Sequence, residues 1–131
     1  MENKMYEIFF TDCEGKLTVL KEPQDGCWIN MLDPTAEEID LISGLVHAER
    51  DFITAALDEE ERPRIESEDD CTLVLTDIPV VESTAESSYN FMYSTMPMGI
   101  VVCKECVITV CLKKTQLIKD FLDNRVKTFA T

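Results

Sequence analysis

Residues 33 to 62 hold the longest block of this chain whose pattern calls for helix, and everything around it must be arranged to cover that block. Thr35 is followed three residues later by Glu38. In that spacing a hydroxyl caps the N3 amide while the N3 carboxylate reaches back to the cap's own N–H. Asp33 and Pro34 supply further first-turn chemistry, since proline is at home where a helix begins. Ile39, Leu41, Ile42, Leu45 and Val46 recur at helical spacing and predict one apolar stripe. Phe52, Ile53, Ala56 and Leu57 continue the helical pattern to the acidic run Asp58-Glu59-Glu60-Glu61. Pro63 then ends it and pushes Arg62 toward an extended conformation.

The flanks read as strands. Met5 to Thr11 and Lys16 to Lys21 are apolar or β-branched runs around Asp12-Cys13-Glu14-Gly15, which predicts a hairpin. Cys27 to Leu32 predicts a buried strand. After Pro63, Arg64 to Glu68 and Cys71 to Val81 flank an Asp69-Asp70 turn. Pro79 lies inside the second of these, so that part is expected at a sheet edge or a bulge. Glu82 to Ser88 is rich in Ser and Glu, without periodicity, and is expected as a mobile loop. Phe91 to Met98, Gly99 to Val102 and Cys106 to Cys111 are the remaining strands. A last helix starts near Thr115, with Leu117, Ile118, Phe121, Leu122 and Val126 on one side. Strands before, two helical segments amid and one helix after predict an α/β fold, with α+β as the alternative: a mixed sheet flanked by helices. At 131 residues this is a single domain, 1–131.

Charge narrows the function. Twelve Lys and Arg against twenty-six Asp and Glu give a net charge of -14. Such a surface repels phosphate backbones and anionic lipid, so nucleic acid is not an expected partner. It attracts cations, although a solvated acidic surface accounts for the same composition. The mean hydropathy of -0.07 is that of an ordinary globular protein.

The six cysteines follow no export signal, so reduced thiols in the cytosol are expected. Cys103-Lys104-Glu105-Cys106 is formally a C-x-x-C. A redox or zinc role would want a helix N-terminus or a second ligand set. Between two β-branched runs, Lys104-Glu105 instead predicts a hairpin turn, with the cysteines as small hydrophobes at strand ends. A thiol enzyme would need a depressed thiolate pKa at Cys103 or Cys106. No nucleophile elbow, glycine-rich phosphate loop or His-Glu-x-x-His is present, and His47 is the single histidine, so the chain is not read as an enzyme.

The order of Trp28-Ile29-Asn30, Pro34-Thr35-Ala36-Glu37-Glu38-Ile39, Arg62-Pro63-Arg64-Ile65-Glu66 and the late pair Gly99-Ile100-Val101-Val102 and Val107-Ile108-Thr109-Val110 resembles the cytosolic N-terminal domain of CorA-type magnesium transporters. The resemblance implies an α/β/α layered domain on the cytoplasmic face of the membrane, within a homopentameric channel for magnesium, sometimes cobalt, nickel or zinc. It implies a stalk helix, two membrane helices and a Gly-Met-Asn pore motif following this domain. None of those is in the sequence, which has no apolar run of about 20 residues. The expectation is therefore a fragment of such a transporter, joined to a membrane only through helices outside this chain.

The resemblance also places an acidic regulatory pair in the helix before the Arg-Pro segment. Counted back from Arg62, the pair falls on Thr54 and Ala55, which cannot hold an ion. The nearest acids, Asp58 and Glu59, are the expected metal residues, with Mg2+ as a loosely held regulatory ligand rather than a tight cofactor. The function so implied is sensing or gating in divalent-cation transport. The alternative is a stand-alone acidic interaction module that docks a basic partner. For Asp58 to Glu61 there is also an ion-free expectation, in which Arg62 and Arg64 offset four acids at the unfavourable end of a helix.

Overall fold

The computed structural model describes residues 4–83, 91–123 and 130–131. Seven strands form one mixed sheet in the order β2-β1-β3-β7-β6-β5-β4. β1 (Tyr6–Thr11), β2 (Leu17–Leu20) and β3 (Cys27–Leu32) come first; β4 (Arg64–Glu68), β5 (Cys71–Ser83), β6 (Phe91–Val102) and β7 (Cys106–Cys111) follow the helical block. That block is α1 (Ala36–Val46) and α2 (Arg50–Ala55), and α3 (Gln116–Leu122) comes last. The fold is α/β.

The topology explains the layers. From β3 the chain crosses one face of the sheet through α1 and α2 to the far edge. It then returns as the antiparallel meander β4-β5-β6-β7 until β7 lies parallel to β3, Ile29 opposite Ile108. Period-two alternation divides the strand side chains between two cores. Ile29, Met31, Leu73, Leu75, Val101, Ile108 and Val110 meet Ile39, Ile42, Phe52 and Ile53 under α1 and α2. Phe9, Trp28, Ile78, Met96, Met98 and Cys111 meet Ile118 under α3.

Local chemistry sets the ends of the elements. Thr35 accepts from the Glu38 N–H at 3.2 Å and Glu38 accepts from the Thr35 N–H at 2.9 Å, the expected reciprocal cap. The other oxygen of Glu38 accepts from the Met5 N–H, tying α1 to the start of β1. In the β1–β2 turn, Asp12 Oδ1 accepts from the N–H groups of Glu14 and Lys16, each at 2.9 Å, and Gly15 takes φ 80. Cys103 N–H donates to the Cys106 carbonyl, so Lys104-Glu105 is the expected two-residue hairpin turn.

Several expectations change. Leu41 and Leu45 are 47% and 52% exposed. The single α1 stripe is thus narrower than its spacing predicts: Ile39 and Ile42 face the core, Val46 packs at its margin, and Leu41 and Leu45 point away. Leu117 is likewise exposed on α3, while Ile118 faces the sheet; Val126 lies outside the described residues. Phe91 to Val102 is one continuous strand, because β5 pairs with it without interruption from Thr72 to Ser83. Glu82 and Ser83 accordingly belong to β5 rather than to a loop, and the rest of that expected loop lies outside the described residues. β4 pairs with β5 only from Cys71 to Leu75. Pro79 therefore stands where β5 is an edge, and its missing N–H costs no bond on the open side.

Candidate functional site

The acidic run begins where α2 ends. α2 closes at Ala55, with Ala56 as its C-cap, two residues earlier than the sequence pattern predicts. Leu57 N–H then donates to the Thr54 carbonyl at 2.9 Å and Glu61 N–H to the Asp58 carbonyl at 3.2 Å, so Asp58 to Glu61 is a turn beyond the helix. Asp58 Oδ1 accepts from the Glu60 N–H at 2.9 Å, a local bond that competes with helix continuation. Asp58 and Glu59 are adjacent and exposed. Thr54 donates its hydroxyl to the Asp51 carbonyl, and Ala55 faces the core.

Positive charge does reach the run, through Arg64. Its guanidinium pairs with Glu61 on one side and, at 3.6 Å, with Glu66 on the other. The Glu61 hydrogen bond, against slight desolvation, raises the arginine pKa. Arg62 contributes its carbonyl, an acceptor for Arg64 at 3.4 Å. The pair leaves Asp58 and Glu59 to solvent. Among the described residues, no three Asp, Glu, His or Cys side chains converge so as to hold a metal ion. What Asp58 and Glu59 can do is attract a hydrated cation that keeps most of its waters, the habit of Mg2+.

A second constellation escaped the sequence reading. Cys27 pairs with Cys106 in the β3–β7 register. Val102 pairs with Val107 and Thr72 with Val102, so Cys103 stands between Cys106 and Cys71. Four thiols thus form a row across β3, β7, β6 and β5 at one end of the sheet, with Cys71 Sγ and Cys103 Sγ 3.5 Å apart. The hairpin reading sets Cys103 opposite Cys106, but only the register of β3 and β5 could bring in Cys27 and Cys71. Hydrogen bonding from Cys106 and burial push the Cys103 thiol well up, and burial pushes Cys71 up to about 11. The depressed thiolate that an enzyme would need at Cys103 is therefore not what its surroundings produce.

On the opposite face, a cavity of about 780 Å³ lies between the sheet and α3, walled by Trp28, Ile78, Met98, Ile118 and Phe121. Beside it, Trp28 Nε1–H donates to Thr109 Oγ1 at 2.8 Å, and Thr109 donates to Asn30 Oδ1 at 2.8 Å. This relay satisfies the Trp28 indole N–H and the Asn30 side-chain oxygen.

The family model for the CorA-like Mg2+ transporter protein matches residues 23–128. The chain belongs to that family. A comparison with curated proteins finds no match. Among solved structures, the complete CorA magnesium transporter from Methanocaldococcus jannaschii superposes with a TM-score of 0.73 at 19% identity, over 100% of this chain and 42% of that one. The soluble domain of the same CorA gives 0.69 at 22% identity, over 93% of this chain and 47% of that chain. The ZntB cytoplasmic domain from Vibrio parahaemolyticus gives 0.65 at 13% identity, over 92% and 49%. The chain thus spans less than half the length of each of these structures. At such identities the likeness is one of fold, and the family match is what places the chain among CorA-like proteins. Among the described residues no helix is long and apolar enough to cross a membrane.

Proposed function

We propose that this chain is the cytosolic domain of a CorA-like divalent-cation transporter and takes part in sensing the ion or gating its passage. The observation that carries the reading is the family match over residues 23–128. The superposition of the whole chain on part of the CorA magnesium transporter supports it. Magnesium is the first candidate ion and cobalt the second. The assembly expected is a homopentamer, formed with helices outside this chain.

The sensing step rests on charge. At a net charge of -14, neighbouring copies of this domain repel one another, and a divalent ion between acidic faces would relieve that repulsion. Asp58 and Glu59 are the proposed contacts. Their carboxylates would hold a hydrated Mg2+ by one or two direct or water-bridged bonds, weakly enough to empty when the ion becomes scarce. Filling would favour a tight ring and a closed pore; emptying would loosen it.

Two measurements test the reading. Bacteria deficient in magnesium uptake, given the gene that encodes this segment, are expected to grow at low magnesium; growth that stays at the deficient level speaks against transport. For the ion site, free Mg2+ at ten times the Kd would stabilise the domain by about 1.4 kcal/mol. That corresponds to a melting rise of roughly 3–6 °C for a chain of this size. The rise should vanish in D58N/E59Q. An unchanged melt in ~10 mM magnesium at matched ionic strength removes a millimolar site from these residues.

A further inference from the structure

The thiol row has no part in the transport reading, and its geometry restricts what it can be. Strands lie about 4.8 Å apart, so Cys27 and Cys71 are separated by three such steps, roughly 14 Å. A four-thiolate zinc site needs all its sulfurs within about 4 Å of one another. A row cannot wrap around one ion, but its neighbours can bond in pairs.

Cys71 and Cys103 approach to 3.5 Å between sulfurs, and Cys106 also reaches the Cys103 thiol by a side-chain hydrogen bond. Facing positions on antiparallel strands have Cα atoms about 4.5–5.5 Å apart, inside the window for a disulfide. Cys103 also faces Cys106. There the backbone bond from Cys103 N–H to the Cys106 carbonyl closes the hairpin. Such a hydrogen-bonded pair sets its Cα atoms about 5.5 Å apart, against about 4.5 Å for the non-hydrogen-bonded pair with Cys71. Access comes from two sides: Cys103 is half-buried, and Cys71 lines a small cavity of about 480 Å³ with His47, Glu49 and Asp70.

We propose that Cys71 and Cys103 are a redox-active pair that closes to a disulfide at the expense of a small external disulfide. The more open Cys103, through the small thiolate fraction that its raised pKa leaves, slowly attacks one sulfur of the external disulfide and releases one small thiol. Cys71 then attacks the mixed disulfide at Cys103 and releases the second. The protein loses two protons and two electrons, and the external disulfide becomes two thiols. The new bond joins the start of β5 to the end of β6, enclosing the long strand pair between them. It also pulls on Cys71, whose Sγ lies 3.7 Å from the His47 carbonyl between α1 and α2.

The test is oxidation of the folded chain with oxidised glutathione, in a C13S background so that the exposed Cys13 cannot couple chains. Thiols are then blocked, and the intact mass and cross-linked peptides are read. The expected result is two fewer blocked thiols than in the reduced chain, a Cys71–Cys103 peptide two hydrogens lighter than its reduced parts, and a melting rise of roughly 10 °C that dithiothreitol reverses. C106S should keep the link; C71A should stop at a glutathione adduct on Cys103. A fully reduced chain, a lasting glutathione adduct on the C13S protein, or a link mapped to Cys103–Cys106 or Cys27–Cys106 overturns the proposal. The C13S peptide map decides this even if a core variant does not fold.

Discussion

At the scale of single residues, two side chains tie this sequence to its fold by hydrogen bonds that can be removed one at a time. Thr109 accepts from the Trp28 N–H and donates its own O–H to Asn30 Oδ1, the first bond buried and the second half-buried. Thr109→Val keeps the shape but deletes the shared hydroxyl. The expected cost is about 1–2 kcal/mol, read as a lower urea midpoint with altered emission from the single tryptophan. Glu38 is the other. Desolvation would raise its carboxyl, but hydrogen bonds from the Thr35 and Met5 N–H groups outweigh that, and its pKa falls below the ordinary 4.5. A depressed folded pKa means the stabilisation is complete above 4.5 and is lost as the pH falls through the lower folded value. Glu38→Gln should therefore flatten the acid side of a stability–pH curve while leaving the alkaline side in shape. An equally steep acid limb in the variant would show that other carboxylates govern it.

At the scale of elements, one contact sets how closely α2 approaches the sheet. A Cβ placed on Gly99 of β6 would lie 3.1 Å from the Ala56 Cβ at the end of α2. Gly99→Val should push α2 outward and cost about 1–3 kcal/mol, visible in chemical denaturation; an unchanged midpoint would mean the helix floats free of β6. Elements were the most legible part of this chain. Thr35 and Glu38 announce their helix, Asp69-Asp70 and Lys104-Glu105 announce their turns, and β-branched runs mark the strands. Burial around the helices was less legible. Leu41 and Leu45 fit helical spacing as well as Ile39 and Ile42 do, and only the position of the sheet decides which pair it covers. Of the candidate site, the sequence shows that acids precede Pro63. It cannot show that Arg64 turns to Glu61 and Glu66, because that pairing depends on where β4 starts. The thiol row was illegible for the same reason: the hairpin sets Cys103 opposite Cys106, but Cys27 and Cys71 join them only through strand register.

At the scale of the whole molecule, the charge of -14 should act on stability as well as on partners. Raising sodium chloride from about 0.01 M to 0.15 M shortens the screening length from about 30 Å to 8 Å. The melting temperature should climb over that interval and then level off, because what is being screened is self-repulsion. A flat response would place the excess acids too far apart to matter. The same sheet has a history as well as a shape. Its two halves, β2-β1-β3 and β7-β6-β5-β4, are each antiparallel and built from strands near one another in sequence, and a single parallel seam, β3 against β7, joins them. That seam joins residues some eighty positions apart, and such distant pairings form late. While the ribosome works, β3 must wait with an open edge until residues 106 to 111 emerge. We expect a nascent chain stopped before Cys106 to be the state most prone to aggregate, and release of the next few residues to be what closes the sheet.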